Sequence, residues 1–322
     1  MNKKIYKYLQ YIFLLFIGIS LLYLTLHKLQ LKQVSNTIAI GNYWLVIPVL
    51  FISLVVYFFR VLRWSLLYNQ INQDISKGNL TISLCLAYLV NFAIPRMGEI
   101  TRCLVLKKLN QTPINLSLST VIFERTIDII ALFIITITAI ILEYFHHSSL
   151  LNSFIDFKII STQQIVLLII MIAIISILII YIIFKTENKI KSWFSVLWIA
   201  IVQLAKIKNL FLFSLYTLCI WCCYYLMTYL WFFTFIESSS LSYYMAFQVM
   251  LVGTFARSIP LQAGSAGAYH YGVSQALIYL GVSSITANAL AIIIHGFQTI
   301  FTFIIGIVAY IAFFIKSKDS LK

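Results

Sequence analysis

The sequence predicts an all-α polytopic membrane protein with about six transmembrane helices and two re-entrant helical hairpins related as an inverted pseudo-repeat. Three observations lead to that class. Of the 322 residues, 62% are hydrophobic and 10% charged, with a mean hydropathy of +0.97. Soluble domains run near half apolar and a quarter charged, so a soluble globular domain and a disordered chain are both excluded. The apolar residues gather into runs of membrane-spanning length. The lysines and arginines fall on one side of the membrane once those runs are threaded through it.

Each element follows from its run. A helix needs about 20 apolar residues to cross the hydrocarbon core. Six runs reach or approach that length: Tyr8–Leu26, Tyr43–Phe59, Leu116–Leu142, Ile165–Phe184, Leu210–Ile236 and Ile285–Ile315. None alternates with period two, which argues against a barrel; helices satisfy their own backbone groups in lipid. The first run follows Lys3, Lys4 and Lys7, as in a signal sequence, but only Leu26-His27-Lys28 comes after it and no small-x-small cleavage site does. It reads as an uncleaved first helix. Two further stretches, Leu80–Ile94 and Tyr243–Ile259, stop at Pro95 and Pro260. The former makes about 22 Å of helix, short of a core about 30 Å thick. It is expected to break at Pro95-Arg96-Met97-Gly98 and return along Glu99–Leu109. The second is expected to break across Pro260–Gly267 and return along Ala268–Leu280. The hairpins so defined cover about residues 80–109 and 243–280; two Pro-kinked ordinary spans are the alternative. Asn188–Ala205 carries Trp193, Phe194, Leu197, Trp198, Ile201 and Leu204 at helical spacing between lysines, the pattern of an amphipathic helix in the cytoplasmic interface. The gaps between segments are too short for a soluble domain, which leaves one integral membrane domain over residues 1–322.

Charge sets the topology. There are 23 Lys+Arg against 9 Asp+Glu, a formal net charge of +14. Arg125 and Arg257 lie inside apolar segments. If both short stretches crossed fully, the other basic residues would divide 10 inside and 11 outside. If both are hairpins, only Lys28, Lys32 and Lys158 lie outside and the remaining 18 inside, as the positive-inside rule requires. Both termini are then cytoplasmic in a multi-pass protein of the cell membrane. The positive surplus marks a membrane face and needs no nucleic-acid partner.

Ionisable groups at membrane depth are expensive and mark functional sites by default. Glu124 and Asp128 share a helix face at i,i+4, and Arg125 sits at i,i+3 from Asp128, close enough to pair with it. This cluster reads as a polar patch facing a cavity, or as an internally paired triad that locks helix packing. Asn91, Pro95, Arg96, Gly98, Glu99 and Arg102 surround the first break. There a half-helix N-terminus and the planar fork of Arg96 suit an anion such as phosphate, although Arg102 equally fits an interfacial arginine. Arg257, Pro260, Gly264, Gly267 and His270 surround the second break. Arg60 and Arg63-Trp64 end the second run and read as a membrane anchor, ahead of a role at the substrate. Cys219, Cys222 and Cys223 read as small membrane-core residues, with no metal site around them. No Ser-His-Asp set, zinc-protease motif or P-loop is present, so neither a catalytic set nor a cofactor is expected.

Four blocks in this order resemble the flippase-like membrane family typified by the transmembrane domain of lysylphosphatidylglycerol synthase. They are Arg60-x-x-Arg63-Trp64-x-x-Leu67, Asn91-x-x-x-Pro95-x-x-Gly98-Glu99-x-x-Arg102, Glu124-Arg125-x-x-Asp128, and the Pro260/Gly264/Gly267 loop. The resemblance covers about residues 10–315. It departs at Tyr68, where relatives often keep an aliphatic residue. It departs again at Pro260–Gly267, where relatives usually read Pro-x-Pro-Gly-Gly-x-Gly followed by Glu; His270 lies nearby instead. The resemblance implies a lipid translocase. The best-known relatives move aminoacylated phosphatidylglycerol to the outer leaflet, and others are linked to polyprenyl-phosphate sugar carriers. Aminoacyl-transferring relatives carry a soluble synthase domain that does not appear before Lys322, so a transporter is expected and not an enzyme. Its substrate is expected to be an anionic or aminoacylated phospholipid or a polyprenyl-phosphate-linked lipid. Arg96 and Arg257 would hold phosphate, while Glu124 and Asp128 gate, bind a cationic substituent or couple protons. The other readings are an intramembrane enzyme with Glu124 or Asp128 as base, and a non-catalytic partner of a separate lipid synthase. Expected partners are membrane lipids, with a second copy or a lipid synthase beside them.

Overall fold

A computed structural model of the chain describes residues 31–146, 202, 206–258 and 262–319. Among the described residues there are nine α-helices, two short 3-10 helices and no strand. The helices are α1 (Leu31–Ala39), α2 (Val46–Gln70), α3 (Lys77–Ala93), α4 (Met97–Asn110), α5 (Ile114–His146), α6 (Leu210–Phe232), α7 (Tyr243–Ser258), α8 (Gln262–Tyr279) and α9 (Ser284–Asp319). The segments Tyr43–Gln70, Leu210–Phe232 and Ser284–Lys318 are long and apolar enough to cross a bilayer, and the chain is an integral membrane protein. The expected spans at Tyr8–Leu26 and Ile165–Phe184 lie outside the described residues, as does nearly all of the amphipathic stretch Asn188–Ala205.

Helix α2 runs past the end of its apolar run at Phe59 to Gln70, with Val49, Ser53, Val56, Arg60, Arg63 and Leu67 buried along it. Steps of three and four put these residues on one face, so the stripe that buries valine early in the helix buries arginine later. The face packs against α6, α3 and α5.

Helix α3 opens at Ser76, whose hydroxyl accepts the Asn79 N–H at 3.3 Å. It stops at Ala93 because Pro95 has no N–H to continue the ladder and pushes Ile94 into an extended conformation. Arg96 then turns the chain with φ +64°, a left-handed conformation that costs an L-residue about 1–2 kcal/mol. The Gly98 N–H donates to the Asn91 side-chain carbonyl at 2.6 Å. A Cβ at Gly98 would lie 2.3 Å from the Ala87 carbonyl oxygen, so the close approach of α4 to α3 requires glycine here. The second hairpin pairs α7 with α8, again with little room: a Cβ at Gly253 would lie 2.9 Å from the Tyr269 ring. Its returning arm starts earlier than the expected Ala268. Helix α8 begins at Gln262 and takes Gly264 and Gly267 into itself. The small side chains of that run leave a helix unobstructed, and φ +61° at Ser265 marks where it is irregular.

The hairpins open to opposite ends of the bundle. Asn79 Nδ2 donates to Asn110 Oδ1 at 2.9 Å, and Lys316 Nζ donates to Asn79 Oδ1 at 2.8 Å. These contacts gather the start of α3, the end of α4 and the end of α9. Gln70 bonds the backbone of Lys206 and Lys208, bringing the end of α2 and the approach to α6 there as well. Lys77, Lys107, Lys108, Lys206, Lys208, Lys316 and Lys318 therefore belong to one end. At the other end the Asn42 N–H donates to the Thr234 carbonyl at 2.9 Å. There Glu237, between α6 and α7, accepts from the Ser283 N–H and hydroxyl and from the Thr286 hydroxyl. That contact ties the start of the second hairpin to the turn that follows it.

Burial by itself would raise the Glu237 carboxyl, but the bonds from Thr286 and Ser283 prevail and hold it below its ordinary value. A carboxylate with a depressed folded pKa stabilises the fold above its unfolded pKa and stops doing so as pH falls through the folded one. Glu237→Gln is therefore expected to lower Tm in detergent at neutral pH. The gap to wild type should close as the medium is acidified below the ordinary carboxylate range. A gap that stays constant with pH would remove the carboxylate from this role.

Candidate functional site

Four helices converge on a buried network of charge. Glu124 on α5 is completely buried; its Oε1 accepts from Arg63 Nη2 at 2.8 Å and its Oε2 from Arg102 Nη2 at 2.7 Å. Arg63, on α2 and equally buried, also donates through Nη1 to Asp128 Oδ1 at 2.7 Å. Arg125 lies 3.2 Å from Glu99 on α4 and 3.6 Å from Asp128. Arg60 donates through Nε and Nη2 to the Tyr224 hydroxyl of α6, at 3.0 and 2.8 Å. Its Nη1 stands 3.5 Å from Glu124 and 4.0 Å from Asp128. Counted along α2 and α4, the network lies roughly 10–15 Å inward from the lysine end. Its closed side is Arg63, Arg102 and Glu124. Its open side is Arg125, with a side chain 38% exposed, beside Glu99 and Asp128.

Apolar packing holds the arginines in place. The Arg102 guanidinium lies 3.8 Å over the Trp64 ring, a cation–π contact worth about 2 kcal/mol when desolvated. The Trp64 indole N–H donates to Thr120 Oγ1 at 3.0 Å. The anchor reading of Arg60 and Arg63-Trp64 is therefore corrected: an anchor faces the interface, whereas Arg63 and Trp64 are 0% exposed. The interfacial reading of Arg102 fails for the same reason, at 2% exposed.

The two breaks meet. Arg96 Nη2 donates to the Ser258 carbonyl at 3.3 Å, joining the turn of the first hairpin to the last residue of α7. Next to it, Arg257 lies 4.3 Å over the Tyr269 ring and donates to Gln298 Oε1 on α9. His270 and His295 face each other with ring centres 4.9 Å apart, and Tyr269 lies beside His295. Cys219, Cys222 and Cys223 are free thiols.

Of the candidate residues, Glu99, Arg102, Glu124, Arg125 and Asp128 come together in one network. Arg96 and Arg257 gather around the hairpin turns, and His270 lies further along α8 against His295. Asn91 and Gly98 close the first hairpin on itself, so the Gly98 N–H is already engaged. Gly264 and Gly267 lie within α8, and Pro260 lies outside the described residues. The sequence reading takes Arg60 and Arg63 as anchors and not as site residues, and it does not single out Tyr224. The signal for the two arginines was present: they continue the buried three-and-four spacing of Val49, Ser53 and Val56.

The family model described as Lysylphosphatidylglycerol synthase TM region matches residues 11–306. No curated protein matches the chain, and no solved structure does.

Proposed function

The chain belongs to the lysylphosphatidylglycerol synthase TM-region family, and from that premise we propose that it is a membrane lipid translocase. It moves an anionic or aminoacylated phospholipid, or a polyprenyl-phosphate-linked lipid, between leaflets. In this reading α3–α4 and α7–α8 are re-entrant hairpins inside a frame of about six spans. The lysine-rich end faces the cytoplasm, following the positive-inside rule.

The observation that carries the proposal is the contact of Arg96 with Ser258, between broken helices that open to opposite ends of the bundle. Paired broken helices of opposite sense are the usual construction of a transporter's midplane site. Parting of the turns on either side would expose the charge network to one leaflet at a time. The headgroup would travel along Arg96, Glu99 and Arg125 while its acyl chains stay in lipid. A reaction at the headgroup would instead need Glu124 or Asp128 as base, and Glu124 is held by two arginines and Asp128 by Arg63 and Arg125.

The test is leaflet exchange in proteoliposomes carrying short-chain fluorescent phosphatidylglycerol or a radiolabelled polyprenyl phosphate. Wild type is expected to speed exchange well above protein-free vesicles. Arg96→Ala, at an exposed position, should slow it roughly tenfold through loss of a charge-assisted contact. Exchange at the protein-free rate for every lipid, or chemical conversion of the lipid in place of exchange, would overturn the proposal.

A further inference from the structure

We propose that His270 on α8 and His295 on α9 form a binding site for a single proton at membrane depth, taken up together with a phosphate headgroup. The proton site stands on its own geometry, away from the charge network; the identity of the headgroup as a lipid's rests on the translocase reading.

The two imidazoles meet edge to face with ring centres 4.9 Å apart. His295 is 8% exposed, and its Nδ1 stands 3.5 Å from Thr299 Oγ1. The buried Tyr269 ring packs against both, 5.4 Å from His295 and 6.4 Å from His270. Counted along α9, the pair lies roughly 14 Å from Thr286 at the Glu237 end and roughly 32 Å from Lys316 at the lysine end. His270 Nε2 is buried without a hydrogen-bond partner. A neutral imidazole has one N–H and one nitrogen lone pair, and leaving either unused away from water is costly. A proton taken from water by one ring creates an N–H that the lone pair of the other can accept. The pair then supplies from within the bond that His270 Nε2 lacks, and the reverse step returns the proton to water.

The surroundings decide what must accompany the proton. Helix α7 brings Arg257, which lies over the same tyrosine and is bonded to Gln298, three residues after His295. Helix α3 also packs on α8; its last titratable side chain is Tyr88, and Arg96 in the turn after it is bonded to the Ser258 carbonyl. Helices α3, α7 and α8 carry no carboxylate, and the one on α9, Asp319, is at the lysine end. An imidazolium here therefore adds to the charge of Arg257 with no counter-charge on these helices. Uncompensated charge at membrane depth is costly, and a second proton would add like charge beside the first, so the pair holds one. The counter-charge must come with the ligand. A phosphate held by the fork of Arg257 supplies it, so that each favours the binding of the other by the same factor.

The test uses full-length protein in detergent with isotope-labelled histidine read by nitrogen NMR. His27, His146 and His147 are replaced by glutamine, so that the pair gives the remaining imidazole signals. The probe is dihexanoyl phosphatidylglycerol, whose phosphate diester keeps one negative charge over the range of about pH 5 to 8 in which imidazoles ordinarily titrate. With the probe bound, the pair is expected to take up one proton and not two across that range. By calorimetry the probe should bind roughly fivefold more tightly at the acid end than at the alkaline end. His270→Gln and His295→Gln should each abolish that pH dependence. Two protons taken up independently, none taken up with the probe bound, or a pH dependence of binding that survives in both variants would overturn the inference. Leaflet exchange separates this from the transport proposal. Exchange by a protein whose histidines take up no proton sinks the proton site and leaves the translocase standing. Proton uptake with acid-favoured binding, but no exchange of any lipid, does the reverse.

Discussion

Replacing Glu124 with glutamine is expected to destabilise the protein by about 3–5 kcal/mol, the usual loss when one partner of a buried ion pair is removed. In detergent this corresponds to a Tm drop on the order of 10 °C for a chain of this size. Glu124 is the hinge of the network. Its two oxygens separate the guanidinium groups of Arg63 and Arg102 at 2.8 and 2.7 Å, and Arg60 stands 3.5 Å away. A neutral amide leaves three buried cations facing one another, with Asp128 reaching Arg63 and Arg60 but not Arg102 among the described ion pairs. Pairing Glu124→Leu with Arg102→Met removes one charge of each sign. It should recover a substantial part of the loss, because apolar groups of similar size replace a buried pair at little net cost. Lys107→Gln, at the exposed lysine end, should leave Tm where it was. A Glu124→Gln protein melting within about 2 °C of wild type, less than 1 kcal/mol of change, would contradict this burial and pairing of Glu124.

Much of the architecture is legible in the sequence. Pro95 and Pro260 announced the two broken segments, because a proline cannot continue a helix whose apolar run is already too short to cross the bilayer. The spacing of Glu124, Arg125 and Asp128 announced a shared face. The partners across the bundle were not legible in the same way. Arg60 and Arg63 follow an apolar run and precede a tryptophan, a local pattern that interfacial anchors also have. Only the continuation of α2 past Phe59, with its buried stripe intact, turns them inward. Tyr224 was invisible because nothing in the local sequence of α6 distinguishes one tyrosine from its neighbours; the docking of α6 on α2 selects it. The start of α8 at Gln262, ahead of the expected return at Ala268, is not legible because a glycine-rich run reads as loop, although small residues also extend a helix without obstruction.

In the translocase reading the two hairpin turns part and meet as a lipid headgroup passes. The most direct measurement tethers them. In a background lacking the native cysteines, Met97→Cys and Ser258→Cys place one thiol beside Arg96 and one at the residue whose backbone carbonyl Arg96 contacts, while Arg96 itself is kept. A flexible, reducible bifunctional thiol reagent then links them in proteoliposomes. The expected result is that the link stops leaflet exchange and that reduction restores the unlinked rate. Exchange that continues at the unlinked rate while the turns are joined would contradict the claim.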